Sequence, residues 1–239
     1  MKKYLIFGAT GGMGSAIARS LFHDGHLVHL VARDPNAVTA LATELNATYS
    51  ICDVTDHDQI RRTVAEAGPG IDGLVYAVGS IVLKPLKATT PEALHHALAT
   101  NATGALIAIQ AAEQALRAAQ GSVLLFSTVA VSQGFANHGI VSMVKGAVEG
   151  LTRALAAELA PKVRVNAIAP SLSNTAMAAP LLANDAMRAS LAKVHPLGRL
   201  GDPSDVVGLA KVLLGDQGSW ITGQIIGVDG GRGALAGRG

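Results

Sequence analysis

Cysteine is nearly missing from this chain. Cys52 is the only one in 239 residues, so no disulfide can form within it. That suits a reducing compartment, and Cys52 itself reads as a buried thiol packed like a small hydrophobe. Charge is sparse as well: Lys, Arg, Asp and Glu make up 15% of the residues and leave a net charge of +2, with no cluster of one sign. Nucleic acids and anionic membranes are bound through basic stripes, so neither is an expected partner. No apolar run approaches the ~18 residues of a spanning helix. The opening MKKYLIFGATGG has a short apolar run, but glycines interrupt it and no small-residue cleavage site follows, so it reads as a first strand. A soluble, cytoplasmic protein is expected. The N-x-[ST] matches at Asn46 and Asn101 are then chance. Nor do the histidines assemble a metal site: His95 and His96 diverge on a predicted helix, and His26 and His29 fall on opposite faces of a strand.

What the chain has in quantity is apolar surface. Hydrophobic residues make up 49% of it, with no internal repeat, low-complexity tract or linker, which fits one domain over residues 1–239 with a sizeable core. Short apolar runs alternate with longer amphipathic segments: YLIF, then SAIARSLFHDG; LVHLVA, then AVTALATEL; LVYAVG, then EALHHALATNATGALIAIQAAEQALRAA; SVLLFS, then MVKGAVEGLTRALAAELA; VRVNAIAP, then 176–195. DPSDVVGLAKVLLG and GQIIGVDGG add a last helix and strand, and the Gly-rich tail 230–239 is expected to be loose. This alternation predicts an α/β protein: a doubly wound parallel sheet of the Rossmann type, layered α/β/α. Low charge with high apolar content also points to self-association.

IFGATGGMGSAIA sets Gly8, Gly11, Gly12 and Gly14 between the first strand and the first helix. Glycines there let the turn be tight and the backbone approach a pyrophosphate, while the helix N-terminus offers free N–H groups. A glycine-rich turn that holds no ligand is the alternative. The second strand ends LVHLVARD, where a doubly wound fold places the adenosine ribose. An acidic residue would bind the ribose hydroxyls, whereas Arg33 can pair with a 2′-phosphate, which favours NADP over NAD. An Arg33–Asp34 pair in a solvated turn is the other reading.

Taken in order, these motifs resemble those of the short-chain dehydrogenase/reductase family along essentially the whole chain. Gly8-x-x-x-Gly12-x-Gly14 is similar to its TGxxxGxG loop, with Phe7 where threonine is usual. CDV at Cys52–Val54 resembles the element whose acid, here Asp53, meets the adenine, and YAVG at Tyr76–Gly79 stands in place of NNAG. NATG at Asn101–Gly104 resembles the segment with the active-site asparagine. PSLSNT at Pro170–Thr175 resembles PGxxxT along the nicotinamide, with Ser171 replacing glycine. The resemblance implies a dinucleotide site formed by Gly8, Thr10, Gly11, Gly12, Met13, Gly14, Arg33, Asp53, Val54, Ala77, Val78, Gly79, Lys145, Pro170, Ser171, Leu172 and Thr175. It also implies a small carbonyl or alcohol substrate, a covering segment near 176–195, and dimers or tetramers built on helices near 102–118 and 143–160.

The family's chemistry uses a serine, a tyrosine and a lysine in Y-x-x-x-K spacing, with the asparagine. Lys145 matches the lysine and Asn101 the asparagine. The serine position falls on Thr128, beside Ser127, and the tyrosine position falls on Val141, so the proton donor is absent. A positioned general acid is worth about 10²- to 10⁴-fold in rate, so its loss slows such an enzyme without silencing it. His138, three residues before Val141, is the nearest titratable replacement, with a loop or packing histidine as the alternative. Ser142 points about 100° away from Val141 on a helix. Tyr76 belongs to the adenosine side, and His195 in KVHPLGRLGDP either sees the substrate or serves a turn before Pro196. Two functions remain: an NADP(H)-dependent oxidoreductase drawing its proton from His138, Thr128 or water, and an NADP-binding protein whose chemistry has been lost.

Overall fold

Near-continuous apolar runs such as YLIF and SVLLF can be covered only between two layers, and that is where the chain puts them. The computed structural model describes residues 1–235. Its strands are β1 (Lys3–Phe7), β2 (Leu27–Ala32), β3 (Thr48–Ile51), β4 (Gly73–Tyr76), β5 (Ser122–Phe126), β6 (Arg164–Pro170) and β7 (Ile225–Val228). They form one seven-stranded sheet in the order β3-β2-β1-β4-β5-β6-β7, with every pair parallel. The chain winds outward from β1 to β3, then crosses back to lay β4 on the other side of β1. The carboxyl ends of β1 and β4, where Phe7 pairs with Tyr76, are therefore the switch point at which a doubly wound sheet opens a crevice.

Eight α-helices connect the strands among the described residues: α1 (Gly12–His23), α2 (Pro35–Glu44), α3 (His57–Ala67), α4 (Pro91–Leu98), α5 (Gly104–Ala119), α6 (Gly139–Leu159), α7 (Asp185–Lys193) and α8 (Val207–Leu214). Ile60 of α3, Ile109 of α5 and Val148 of α6 pack on one face of the sheet, and Ile17 of α1, Val38 of α2 and Leu213 of α8 on the other. Local chemistry fixes several helix starts. Asp34, Asp56, Thr90 and Asn184 each cap α2, α3, α4 and α7 through the side chain, and Pro35 and Pro91 occupy the first turn, where no N–H is needed. α1 and α6 begin without a side-chain cap, at Gly11 and His138, and both start at the crevice.

Two features depart from the periodicity of the sequence. The long helix expected over EALHH…LRAA is broken by a π-helical turn at Ala99–Thr103, which widens the spiral between α4 and α5 around Asn101. The segment after β6 is a 3₁₀ stretch, Ala176–Leu182, followed by α7. Of the tail expected to be loose, residues 230–235 form turns under Asp229, whose carboxylate accepts from the amides of Gly231 (2.8 Å) and Gly233 (2.9 Å). Residues 236–239 lie outside the described residues.

His29, on β2, is enclosed by polar partners. Ser50 donates to Glu66, so it accepts from Nε2–H of His29 at 2.9 Å, and the Thr48 hydroxyl donates to Nδ1 at 2.9 Å. Burial holds this imidazole neutral and pushes its pKa down to about 4.

Candidate active site

The crevice is built on close backbone contact. Gly8 has φ +76°, and a Cβ there would lie 2.7 Å from the carbonyl carbon of Ala77. A Cβ on Gly14 would come within 2.2 Å of the Gly8 carbonyl oxygen. Only glycine fits these two positions, so β1, the turn and α1 close up and leave the backbone of Thr10 to Met13 bare along the floor. Gly14 is buried against Gly8 and stays off the cavity wall, whereas Gly11 and Gly12 line it. The open turn, the uncapped start of α1 and the glycine cradle fit a pyrophosphate.

Two cavities meet at this turn and share Thr10, Val78 and Gly79. The smaller, about 180 Å³, runs over β2 and β3 and is lined by Arg33, Asp53, Val54 and His96, among others. Asp34 is committed here: it accepts the amides of Asn36 and Ala37 as the cap of α2, while Arg33 is exposed on the rim. No ion pair joins Arg33 to Asp34 among the described residues. Two hydrogen bonds from Thr55 hold the Asp53 carboxyl below the usual carboxylate range. His96, read in the sequence only as one of a divergent pair, lines this cavity because of how α4 packs across the sheet.

The larger cavity, about 390 Å³, holds Ala77, Val78 and Gly79 from β4's end, Thr128 after β5, His138, Val141 and Lys145 from α6, and Pro170, Ser171, Leu172 and Thr175 after β6. Lys145 is buried to 8% exposure, and its ammonium donates to the Phe126 carbonyl at 2.9 Å. Burial alone pushes its pKa down to about 8. Val141 sits one turn earlier on the same wall and is buried, with no group that exchanges a proton.

The hydroxyls sort themselves by their partners. Ser127 donates to Glu149 at 2.8 Å, whereas the Thr128 hydroxyl accepts only a long 3.3 Å contact from the Ala130 amide and keeps its hydrogen for the cavity. Ser142 donates to the Ala130 carbonyl, away from the cavity, as its helical angle requires. Asn101 is 1% exposed and does not reach the cavity wall. Its amide donates to the Ala97 carbonyl (2.8 Å) and to the Ser80 hydroxyl (3.1 Å), and it accepts from the Ser80 amide (3.3 Å). It thus fixes the segment after β4 that carries Gly79 and Ser80.

Three aromatic groups were candidates for moving a proton. Tyr76 is buried, donates to the Thr100 carbonyl at 2.8 Å, and has its pKa raised far above the ordinary phenol value by burial. It is a strut for the π-turn. His195 is 3% exposed and lies off the larger cavity; its Nδ1–H donates to the Leu191 carbonyl and its Nε2 accepts from the Ser171 hydroxyl, each at 2.8 Å. It fixes Ser171, which lines the cavity. His138 does line the cavity. It is the N-cap residue of α6, and its Nδ1 lies 2.7 Å from the Ala136 carbonyl. A carbonyl only accepts, so Nδ1 carries hydrogen and Nε2 is the nitrogen free to exchange one.

Comparison with known proteins fits this geometry. The family model described as enoyl-(acyl carrier protein) reductase matches residues 8–232. A tropinone reductase homolog of Arabidopsis thaliana is 35% identical over 238 residues, covering 95% of this chain and 91% of its own length. The chain belongs to the short-chain dehydrogenase/reductase family. Among solved family members, a short-chain type dehydrogenase/reductase from Mycobacterium ulcerans superposes with a TM-score of 0.92 at 29% identity, over 99% of this chain and 91% of that one. A gluconate 5-dehydrogenase from Burkholderia cenocepacia, in complex with NADP and tartrate, superposes with a TM-score of 0.92 at 26% identity, over 98% and 96% of the two chains. In this short-chain dehydrogenase/reductase, Lys145, Thr128 and Val141 line one cavity, with Asn101 buried beside Ser80. No helix among the described residues is long and apolar enough to cross a membrane, and they hold no group of His, Cys, Asp and Glu suited to a metal ion.

Proposed function

We propose that this protein is an NADP(H)-dependent oxidoreductase acting on a small carbonyl or alcohol, with His138 in the proton-donating role that tyrosine fills elsewhere in the family. The observation that carries it is the shared cavity of Lys145, Thr128 and His138 around Val141, in which Nε2 of His138 is uncommitted. The dinucleotide, when bound, supplies or accepts the hydride. Amides of Gly11 to Met13 would hold its pyrophosphate, Asp53 and Val54 its adenine, and Arg33 a 2′-phosphate. Ala77 to Gly79 and Pro170 to Thr175 would flank the nicotinamide end, and Lys145, with donors to spare beyond the Phe126 carbonyl, its ribose.

In the reducing direction, the Thr128 hydroxyl orients the carbonyl oxygen and the His138 imidazolium delivers a proton to it from Nε2. The bond from Nδ1–H to the Ala136 carbonyl keeps the ring oriented. Asn101 acts through Ser80 and Gly79 as a positioning residue. Assembly as a dimer or tetramer through α5 and α6 is part of this reading, supported by exposed Leu106 (42%) and Met143 (60%). Sedimentation at micromolar concentration checks that part separately, and a monomer there removes it.

Val141 favours one other reading, a binding protein without turnover. The variant Val141→Tyr separates the two. The oxidoreductase reading expects wild-type reduction of some neutral carbonyl compound, with the rate raised in Val141→Tyr at unchanged NADPH affinity. Wild-type protein that binds NADPH, reduces nothing, and gains activity only as the variant is a binder.

A further inference from the structure

We infer that the ligand of the larger cavity is an uncharged carbonyl compound with one polar end and an apolar body, and that sugar acids and polyols are excluded. The inference takes from the proposed function only the location of the reacting group. It rests on which polar groups around the cavity are still free.

Charge comes first. Of the residues lining the larger cavity, Lys145 and His138 alone are titratable. The Lys145 ammonium lies at the inner wall, bonded to Phe126 and next to Gly79, where a Cβ would come 3.3 Å from Nζ. It faces the cofactor end of the cleft. The nearby guanidinium groups are committed elsewhere: Arg199 makes a two-pronged pair with Asp205 (2.7 and 2.8 Å), Arg188 donates to Asn174 (3.0 Å), and Arg232 lies over the Phe135 ring at 5.1 Å. Beyond the reacting end, where protonated His138 meets the carbonyl oxygen, a carboxylate entering this cavity would find no further cation to replace its water, which is strongly unfavourable.

Hydroxyls come next. Ser127 donates to Glu149, Ser171 to His195 and Ser173 to the Ser171 carbonyl (3.1 Å). That leaves Ser80, Thr128 and His138 as the side chains with a hydrogen to offer at the substrate end. A carbonyl oxygen between Thr128 and His138 would use both of these donors; the further hydroxyls of a polyol would find only Ser80 left among the free side chains. The remaining wall is apolar from both sides: Ile81 and Leu83 on the loop after β4, Val141 on α6, and Leu172, Met177 and Leu181 on the segment after β6. Ile81 (40%) and Met177 (47%) are exposed, as residues are that await an apolar guest.

The test uses matched ligands on the whole protein with saturating NADP, so that binding is read without turnover. Ligand-observed NMR measures 4-ethylcyclohexanone, 4-oxocyclohexanecarboxylate and a ketose of similar size. The neutral ketone is expected to bind at least about thirtyfold more tightly than either of the others. Met177→Arg, a substitution at an exposed position, places a cation at the wall and is expected to improve carboxylate binding about tenfold. Carboxylate or ketose binding as tight as the ketone's in wild type, or no ketone binding at all, overturns the inference. Turnover with NADPH is scored separately: a ketone that binds but is not reduced leaves the ligand class standing and defeats the oxidoreductase reading.

Discussion

Replacing Lys145 with methionine should make the protein more stable and less able to hold its cofactor. The ammonium is buried with one carbonyl for company, and its pKa falls from 10.5 to about 8. That interval corresponds to a penalty of about 3 kcal/mol on the charged form in the folded state. The sign follows from proton linkage. A base with a depressed folded pKa releases its proton earlier in the native state than in the unfolded chain, so below about pH 8 the full penalty is present, and between about 8 and 10.5 stability rises with pH. Methionine has nearly the same length and no charge. It removes the penalty but leaves the Phe126 carbonyl without its donor, which costs about 1 to 2 kcal/mol. The net gain at pH 7 is about 1 to 2 kcal/mol, or about 2 to 8 °C in Tm for a chain of this size. Thermal unfolding of wild type and Lys145→Met at pH 7 and pH 9.5 reads it directly. The advantage of the variant should shrink at the higher pH, and its NADPH affinity should fall at least tenfold. A variant less stable at pH 7, with a deficit independent of pH, refutes the reasoning about burial; unchanged NADPH affinity refutes the role in holding ribose.

Arg33→Ala should abolish a preference of about ten- to a hundredfold for NADPH over NADH, measured by calorimetry, since a charged bidentate contact contributes about 1.5 to 3 kcal/mol. Equal affinities in wild type would show that the 2′-phosphate is not read there. Stability should decline as pH falls from 6.5 to about 4, because His29 stays neutral in the fold while the unfolded chain takes up a proton. Allowing for partial screening by water, the loss from this site is about 2 kcal/mol, and His29→Leu should remove that part of the slope in denaturant titrations whatever its absolute stability. His195→Ala should raise KM for a ketone more than it lowers kcat, because His195 acts through Ser171 rather than on the reacting atoms; a loss confined to kcat would contradict that.

The alternation of YLIF, LVHLVA, LVYAVG and SVLLFS with amphipathic segments was enough to read a parallel sheet with helices on both faces, because strands covered on two sides have no polar face to hide the pattern. The glycine turn was equally legible, since close backbone approach admits only one residue type at Gly8 and Gly14. Partner choice was not. Ser127 and Thr128 are adjacent in sequence and both line the cavity, and only the position of Glu149 on α6 takes up the hydroxyl hydrogen of one of them. Asp34 and Arg33 are similarly separated by the cap of α2. The π-turn at Ala99–Thr103 has no periodic signature, so the burial of Asn101 and its bonds to Ser80 could not be read from the sequence. The apolar walls at Ile81, Leu83 and Met177 come from a loop and a short 3₁₀ stretch, where hydrophobic residues carry no period to announce them.

The central claim is that a family member without its tyrosine draws the proton from His138. The most direct test follows single-turnover oxidation of bound NADPH by a neutral ketone as a function of pH, in wild type and His138→Ala. The account predicts that His138→Ala is at least tenfold slower than wild type and that the pH dependence of the two rates differs. Superimposable profiles for the two proteins, or bound NADPH that no carbonyl compound oxidises in either, would contradict it.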